Sequence, residues 1–364
     1  MRAGFTVRVC LTDAAQKFVT PILFETLTGQ PCLIEVFDEP ERGRMAHLDW
    51  ARQADLLLLA PASANTINKI ANGIADDMLS TIALAFEGPM IVAPAMNPAM
   101  YAHPETQASM AKLAARAAAI IEPVEGDVVA GEQGQGKLAA NRDIVSAATA
   151  VEAASDRLWR KKVLITSGPT QEPIDDVRFL SNRSSGKMGA ALAQAALLMG
   201  ADVTLVAGPS SVVYPRNAVL IKVKTAREML EACRKEVDDA DLIIGAAAVA
   251  DYRVDHPTEG KIRRMDAKLN LELTPNPDII AELAKSGKPA IGFAAEPSPD
   301  LEVATEKLKR KGLFAIVHND VSNPQIGFES DLNQLTVISS KGWQATSEVQ
   351  SKLCCALWLL KKLT

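Results

Sequence analysis

Short aliphatic and β-branched runs alternate along this chain with Ala/Leu-rich stretches of helical period. Runs at 6–11, 56–60 and 90–93 predict strands with helices between them, and the Ala-rich run 144–154 predicts a closing helix. A charged stretch at 155–162 breaks the pattern, which then restarts with strands at Val163, Val203, Leu242, Ile291 and Ala315 and helices over 190–199, 226–237 and 301–311. Such a rhythm predicts an α/β protein of two doubly wound parallel-sheet, Rossmann-like domains in tandem, spanning 1–155 and 161–364. Ligands of these sheets lie outside the carboxyl ends of the strands, so the loops there are the places to search.

Composition narrows the picture. A chain of 364 residues with 48% hydrophobic content can fill two cores. The net charge of −5 and the lack of any Lys/Arg block argue against nucleic acid, whose phosphates require clustered positive charge. No run approaches the ~20 apolar residues of a membrane helix, and the opening residues lead into a strand pattern instead of a signal peptide, so a cytoplasmic protein with small-molecule partners is expected. Five cysteines without a C-x-x-C pair indicate neither zinc nor disulfides.

In the second domain, strand 163–166 runs into Ser167-Gly168-Pro169-Thr170, and Asn182-Arg183-Ser184-Ser185-Gly186-Lys187-Met188-Gly189 opens a helix. Glycines and a helix start both suit an anion, although each segment also reads as an ordinary turn with a serine cap, and neither is a Walker A loop. Beyond Gly245, small residues through Ala247 and Ala248 end in Asp251-Tyr252-Arg253. Lys261 begins a basic cluster, and Lys307 and Lys311 lie one helical turn apart; taken singly, each reads as a solvated charge. His318 reads as a packed histidine.

Together these segments, with Val177-Arg178-Phe179-Leu180-Ser181-Asn182, Asn276-Pro277-Asp278-Ile279 and Gly292-Phe293-Ala294-Ala295-Glu296, resemble the phosphopantothenate-cysteine ligase half of the bifunctional decarboxylase/ligase family of coenzyme A synthesis. The resemblance implies activation of 4'-phosphopantothenate by CTP as an acyl-cytidylate, which cysteine then attacks. It places Asn182, Arg178, Ala247 and Ala248 at the acid substrate. Gly168, Gly245, Asp251, Asn276, Pro277, Asp278, Ile279 and Phe293 fall at the nucleotide, with Lys261, Lys307 and Lys311 at its triphosphate and Mg²⁺ held mainly by phosphates. Lys261 and Asn182 are the catalytic pair it implies. Phe314 stands where an acidic residue is common.

In the first domain, Ala60-Pro61-Ala62-Ser63-Ala64-Asn65-Thr66 and Pro94-Ala95-Met96-Asn97-Pro98 follow neighbouring strands, which argues for a ligand crevice over two proline-bounded turns, and His47 opens a helix. Residues 1–145 resemble the flavin-dependent cysteine decarboxylases, a flavodoxin-like fold. There FMN oxidises the cysteine thiol, CO₂ leaves, and the enethiol is reduced. The resemblance makes His47 the acid/base, puts Asn97 on the substrate carboxylate, and turns Thr12, Ser63, Asn65, Thr66 and Met96 toward FMN.

Two departures bear on that domain. Its opening strand, phosphate-binding loop and helix have no counterpart ahead of Arg2, which implies a start codon placed too late or an incomplete flavin site. Ala130 stands where the family carries a cysteine, and alanine cannot donate the last proton, so an impaired decarboxylase is expected. The alternative is a monofunctional ligase with a non-catalytic flavoprotein-like oligomerisation or regulatory domain. A homo-oligomer is implied, dimeric through the ligase half. A dehydrogenase is disfavoured because no Gly-x-Gly-x-x-Gly follows either domain's first strand.

Overall fold

Two compact units divide the chain, Met1–Glu152 and Ala153–Thr364. The computed structural model describes residues 4–37, 45–116, 119–127, 133–153, 158–263, 269–296, 300–320, 322, 326 and 330–364.

In the first unit the strands are β1 (Val9–Cys10), β2 (Cys32–Leu33), β3 (Leu57–Ala62), β4 (Met90–Pro94), β5 (Ala119–Ile120), β6 (Val124–Asp127) and β7 (Gln133–Lys137). Between and after them come α1 (Pro21–Thr28), α2 (Ala46–Gln53), α3 (Ala64–Ala71), α4 (Met78–Ala85), α5 (Pro98–Ala102), α6 (Pro104–Ala115) and α7 (Asn141–Ala153). β3, β4 and β5 form one parallel ladder, β1 and β2 a separate parallel pair, and β6 and β7 an antiparallel pair. The strand read over 6–11 shortens to Val9–Cys10 because, among the described residues, only β2 pairs with it. β4 has ladder partners on both sides and is buried through Ile91, Val92 and Ala93, whereas on β3 Leu58 is 39% exposed. A neighbour on each side and a helix on each face are what bury a strand of a parallel sheet completely. Ile67, Ile70, Met110 and Leu113 of α3 and α6 cover β3 and β4, while Leu33, Ala46, Met78 and Ile82 make a second small cluster around β2, α2 and α4.

The second unit contains β8 (Lys162–Ser167), β9 (Gln171–Pro173), β10 (Phe179–Ser181), β11 (Asp202–Ala207), β12 (Val219–Lys222), β13 (Leu242–Gly245), β14 (Tyr252–Val254) and β15 (Leu273–Pro275). β16 (Ala290–Glu296), β17 (Ala315–Asp320), β18 (Leu332–Asn333), β19 (Thr336–Ser339), β20 (Gln344–Thr346) and β21 (Gln350–Ser351) follow. Its helices are α8 (Lys187–Leu198), α9 (Ala226–Glu236), α10 (Ile279–Ala284), α11 (Glu302–Arg310) and α12 (Lys352–Leu363). Eight strands form one sheet in the order β12-β11-β8-β13-β16-β17-β19-β20, parallel as far as β17 and antiparallel across the last two pairings. The apolar run of β8 is buried at every position after Lys162, as a central strand must be. α9 shows how the covering helices form: the Thr225 side chain caps its start by accepting from the Glu228 amide, and Met229, Leu230 and Cys233 turn one face into the core.

The parallel order places the chain's direction change between β8 and β13, where crevices open at strand carboxyl ends. Beyond those ends the pairing continues as a single bridge between Pro169 and Ala248. Two small antiparallel pairs, β9–β10 and β14–β15, project from this region.

Candidate functional site

The second unit's crevice is built on the segment 246–250, which leaves β13 without regular structure and is held by side chains from β8 and its loop. The Ala247 amide donates to Thr166 Oγ1 at 3.3 Å, the Ala250 amide to Thr170 Oγ1 at 3.0 Å, and the Ala248 amide to the Gly168 carbonyl at 2.9 Å. Asn182 Nδ2 donates to the Val249 carbonyl at 2.8 Å, and Asn276 Nδ2 to that of Ala250 at 2.9 Å. Thr166 and Thr170 are both buried. Their hydroxyls satisfy amides that would otherwise be enclosed without partners, a loss of about 1–3 kcal/mol each. Ala247, Ala248, Asn182, Asn276 and the Gly168 loop are thereby brought to one floor. Thr166 was not singled out in the sequence, and Thr170 only as the end of the glycine loop.

The Gly168 loop departs from the expectation that its glycines admit phosphate. Gly168 adopts φ +73°, and a Cβ there would lie 2.9 Å from the Gly208 carbonyl oxygen. A Cβ on Gly208 would lie 1.9 Å from the Pro169 carbonyl oxygen. Behind them Tyr214 donates its hydroxyl to Ser167 Oγ at 3.1 Å. These glycines serve the contact of two loops of the chain itself. Gly245 behaves alike, with Ile280 packed 3.0 Å from the position of a Cβ.

At the neighbouring strand end, Asp278 caps α10 by accepting from the Ala281 amide at 3.2 Å. Lys311 lies 2.9 Å from the same carboxylate, so its charge is already balanced within the protein rather than left for a triphosphate. Ile279 turns into the core, leaving only its backbone for a ligand. The Asn276 amide donates to the Asp251 carbonyl at 2.8 Å, while the Asp251 side chain, Lys261 and Arg178 are exposed around the crevice. Phe293 and Lys307 are half-buried on β16 and α11. The loop from Pro257 to Gly260 is anchored by the Thr258 amide, which donates to the Ile174 carbonyl, and by the Gly260 amide, which donates to Asp176 Oδ2. His318 is buried in β17, as its packed reading requires.

In the first unit the Ala95 amide donates to the Ala62 carbonyl at 3.0 Å, which joins the two polar loops side by side at the ends of β3 and β4. Ser63 caps α3, its Oγ accepting from the Thr66 amide at 3.3 Å, with Asn65 exposed beside it. Asn97 Oδ1 accepts from the Ala99 amide at 2.8 Å, which fixes the direction of its side-chain amide. The Met96 amide donates to the Gly136 carbonyl at 3.0 Å, and a Cβ on Gly136 would stand 2.2 Å from the Met96 carbonyl oxygen. Thr12, whose Oγ1 accepts from the Ala15 amide, belongs to the separate β1–β2 pair. His47 lies in the first turn of α2, its Nδ1 enclosed without a hydrogen-bond partner. Ala130 lies outside the described residues. Burial, with Cys32 and Asp77 nearby, pushes the Cys10 thiol up to about 12, so it holds no thiolate near neutral pH.

The paired loops, Asn97 and the unpaired Nδ1 of His47 fit a planar, polar-edged ligand such as a flavin. Among the described residues no three His, Cys, Asp or Glu side chains gather as a metal cage. None of the described helices is long and apolar enough to cross a membrane.

Fold and sites together define a tandem α/β enzyme, a flavoprotein-type unit followed by a nucleotide-type unit. Residues 1–152 match the Flavoprotein family and residues 158–364 the DNA/pantothenate metabolism flavoprotein C-terminal domain. The coenzyme A biosynthesis bifunctional protein CoaBC of Bacillus subtilis (strain 168) is 40% identical over 368 residues, covering 100% of this chain and 91% of its own length. That of Escherichia coli (strain K12) is 41% identical over 345 residues, 93% of this chain and 85% of its own. A cysteine/cysteine sulfinic acid decarboxylase from an unknown prokaryotic organism is 40% identical, covering 95% of this chain and 98% of that one. The crystal structure of a CoaBC C-terminal domain, 36% identical, aligns with 57% of this chain and 95% of its own at a TM-score of 0.49. The chain belongs to the family of bifunctional coenzyme A biosynthesis proteins.

Proposed function

We propose that the second unit ligates 4'-phosphopantothenate to cysteine at the expense of CTP, and that the first unit decarboxylates the product with FMN to 4'-phosphopantetheine. In the ligation, the substrate carboxylate attacks the α-phosphate of CTP and pyrophosphate leaves. The cysteine amine then attacks the acyl carbon and CMP leaves, giving the amide. Arg178 and Asn182 hold the acid against Ala247 and Ala248. Asn276 with the backbone of Pro277 to Ile279 receives the nucleoside with Asp251 and Phe293, and Lys261 with Lys307 offsets charge on the phosphates. Lys311 serves through Asp278. Mg²⁺, when bound, neutralises phosphate charge between the substrates.

The observation that carries this reading is the alanine floor at the switch between β8 and β13, held by Thr166, Thr170, Asn182 and Asn276. The test incubates the chain with phosphopantothenate, cysteine, Mg²⁺ and CTP or ATP and follows pyrophosphate. Release with CTP is the expected outcome, and none with either nucleotide overturns the proposal.

In the first unit, Thr12, Ser63, Asn65, Thr66 and Met96 would hold FMN, which supplies the two-electron oxidation and the returning electrons. His47 moves a proton at its imidazole, and Asn97 binds the substrate carboxylate. A second reading, that this unit is a non-catalytic module, is favoured by the division of its parallel strands into two ladders among the described residues. Yellow colour in the purified chain and CO₂ release from phosphopantothenoylcysteine decide for catalysis; a colourless chain decides for the module. Exposed Val177, Phe179, Leu271 and Leu273 on the second unit's projecting segments suit a homodimer through that half.

A further inference from the structure

Arg178 and Lys261 do not sit on the main sheet. They belong to outlying segments, 174–181 and 252–263 with 269–275, on which Val177, Phe179, Tyr252 and Leu273 are exposed, so packing alone does little to fix them. What joins the segments is a carboxylate. The Asp175 side chain is fully enclosed, at 0% exposure. Its Oδ1 accepts from the amides of Val177 and Arg178 at 2.8 and 2.7 Å. Its Oδ2 accepts from the Ile262 amide at 3.1 Å and lies 3.4 Å from Arg178 Nε. Arg178 Nη2 in turn donates to the Ile262 carbonyl.

Asp176 repeats the arrangement one residue on. Its Oδ2 accepts from the Gly260 amide at 2.9 Å, and its own amide donates to the Gly260 carbonyl at 3.1 Å. Lys261 is therefore fixed by its two neighbours, Gly260 through Asp176 and Ile262 through Asp175.

Four donors converge on the two oxygens of Asp175, which leaves it no capacity to act as a base or to ligate a cation. Although burial opposes its ionisation, the three amides and the guanidinium hold its carboxyl below the ordinary range.

We infer that Asp175 is a positioning residue of the ligase site: it sets the separation of Arg178 and Lys261, so that the acid held by one meets the triphosphate held by the other. The inference rests on the ligase reading above. Asp175→Asn removes one acceptor, points an amide N–H₂ at a group that is itself a donor, and takes away the guanidinium's partner. Both outlying segments then lose their common reference.

The test is a double-mutant cycle on the full chain, read as pyrophosphate release under saturating Mg²⁺. Wild type must first show release; if it does not, the ligase reading fails and this inference with it. Given release, Asp175→Asn is expected to lower kcat/KM by about 10²-fold, raising KM for phosphopantothenate through Arg178 and lowering kcat through Lys261, with KM for cysteine unchanged. In the Lys261→Gln background, Asp175→Asn should lower kcat no more than about 3-fold further, because a lysine that is gone cannot be misplaced, while the rise in KM for phosphopantothenate through Arg178 persists. Multiplying losses in kcat, or a fall in activity matched only by a fall in folded protein, would overturn the inference. Should Asp175→Asn not fold, exposed Asp176→Ala is the second probe: a loss in turnover of about 10-fold that vanishes in the Lys261→Gln background supports the positioning role, and an unchanged turnover refutes it.

Discussion

Asn182 Nδ2 donates to the Val249 carbonyl at 2.8 Å, bridging from the loop after β10 to the segment after β13. The contact reaches across 67 positions of sequence and makes one wall of the crevice dependent on the other. Asn182→Asp exchanges the donor for an oxygen facing an oxygen. The expected result is a loss of about 10²-fold in ligase kcat/KM, comparable to losing one preorganised donor, with a thermal midpoint within a few degrees of wild type because the residue is exposed. Steady-state pyrophosphate release beside a melting curve checks both parts.

Lys261→Gln tests the charge on the triphosphate. With its backbone held from both sides, the variant keeps the loop and loses only the cation. Turnover should fall by about 10²-fold, and wild-type turnover would remove Lys261 from the site.

Gly136→Ala tests the clamp of the first unit. A methyl 2.2 Å from the Met96 carbonyl oxygen must push the β6–β7 pair away from the loop that carries Asn97. Destabilisation of about 1–3 kcal/mol is expected from such overpacking, together with weaker retention of FMN, read from the flavin absorbance recovered after gel filtration.

Lys352 provides a pH signature. Burial, with Lys187 nearby, lowers its ammonium from 10.5 to about 8, against which Asp331 acts only in part. Between those values the unfolded chain binds a proton that the folded chain has released, so folding stability rises with pH across that window. At neutral pH the buried charge is a cost, offset by the carbonyls of Ser330 and Leu332 that its Nζ reaches. Relative to Lys352→Met, the wild type should gain on the order of 2 kcal/mol between pH 7.5 and 10 in urea unfolding of the second unit. A constant difference across that range would mean that Lys352 keeps its proton throughout.

The central strands were legible because β8, β11, β13, β16 and β17 each carry three or more apolar residues within four to seven positions. The pairs β9–β10 and β14–β15, and the antiparallel edge of β19 and β20, were not. Their strands are three or four residues long and exist through pairing across the fold, which leaves little periodicity to read. At the site, Asn182, Asn276, Ala247 and Ala248, all singled out from the sequence, lie around one segment, 246–250. The roles of Gly168 and Lys311 depended on partners distant in sequence, Gly208 and Asp278, and Ile279 turned out to be core. Asp175 was missed because one acid among many charged residues carries no mark of being enclosed.

The three-stranded ladder of the first unit bears on how the protein behaves in concentrated solution. Among the described residues β3 has a hydrogen-bonded neighbour on one side only, and Leu58 is exposed on it. Unpaired peptide groups at a strand edge recruit whatever extended chain is at hand, and the nearest supply in a crowded preparation is another molecule of the same sequence. Pairing of a second copy there would make solubility a property of this edge as much as of the surface charge.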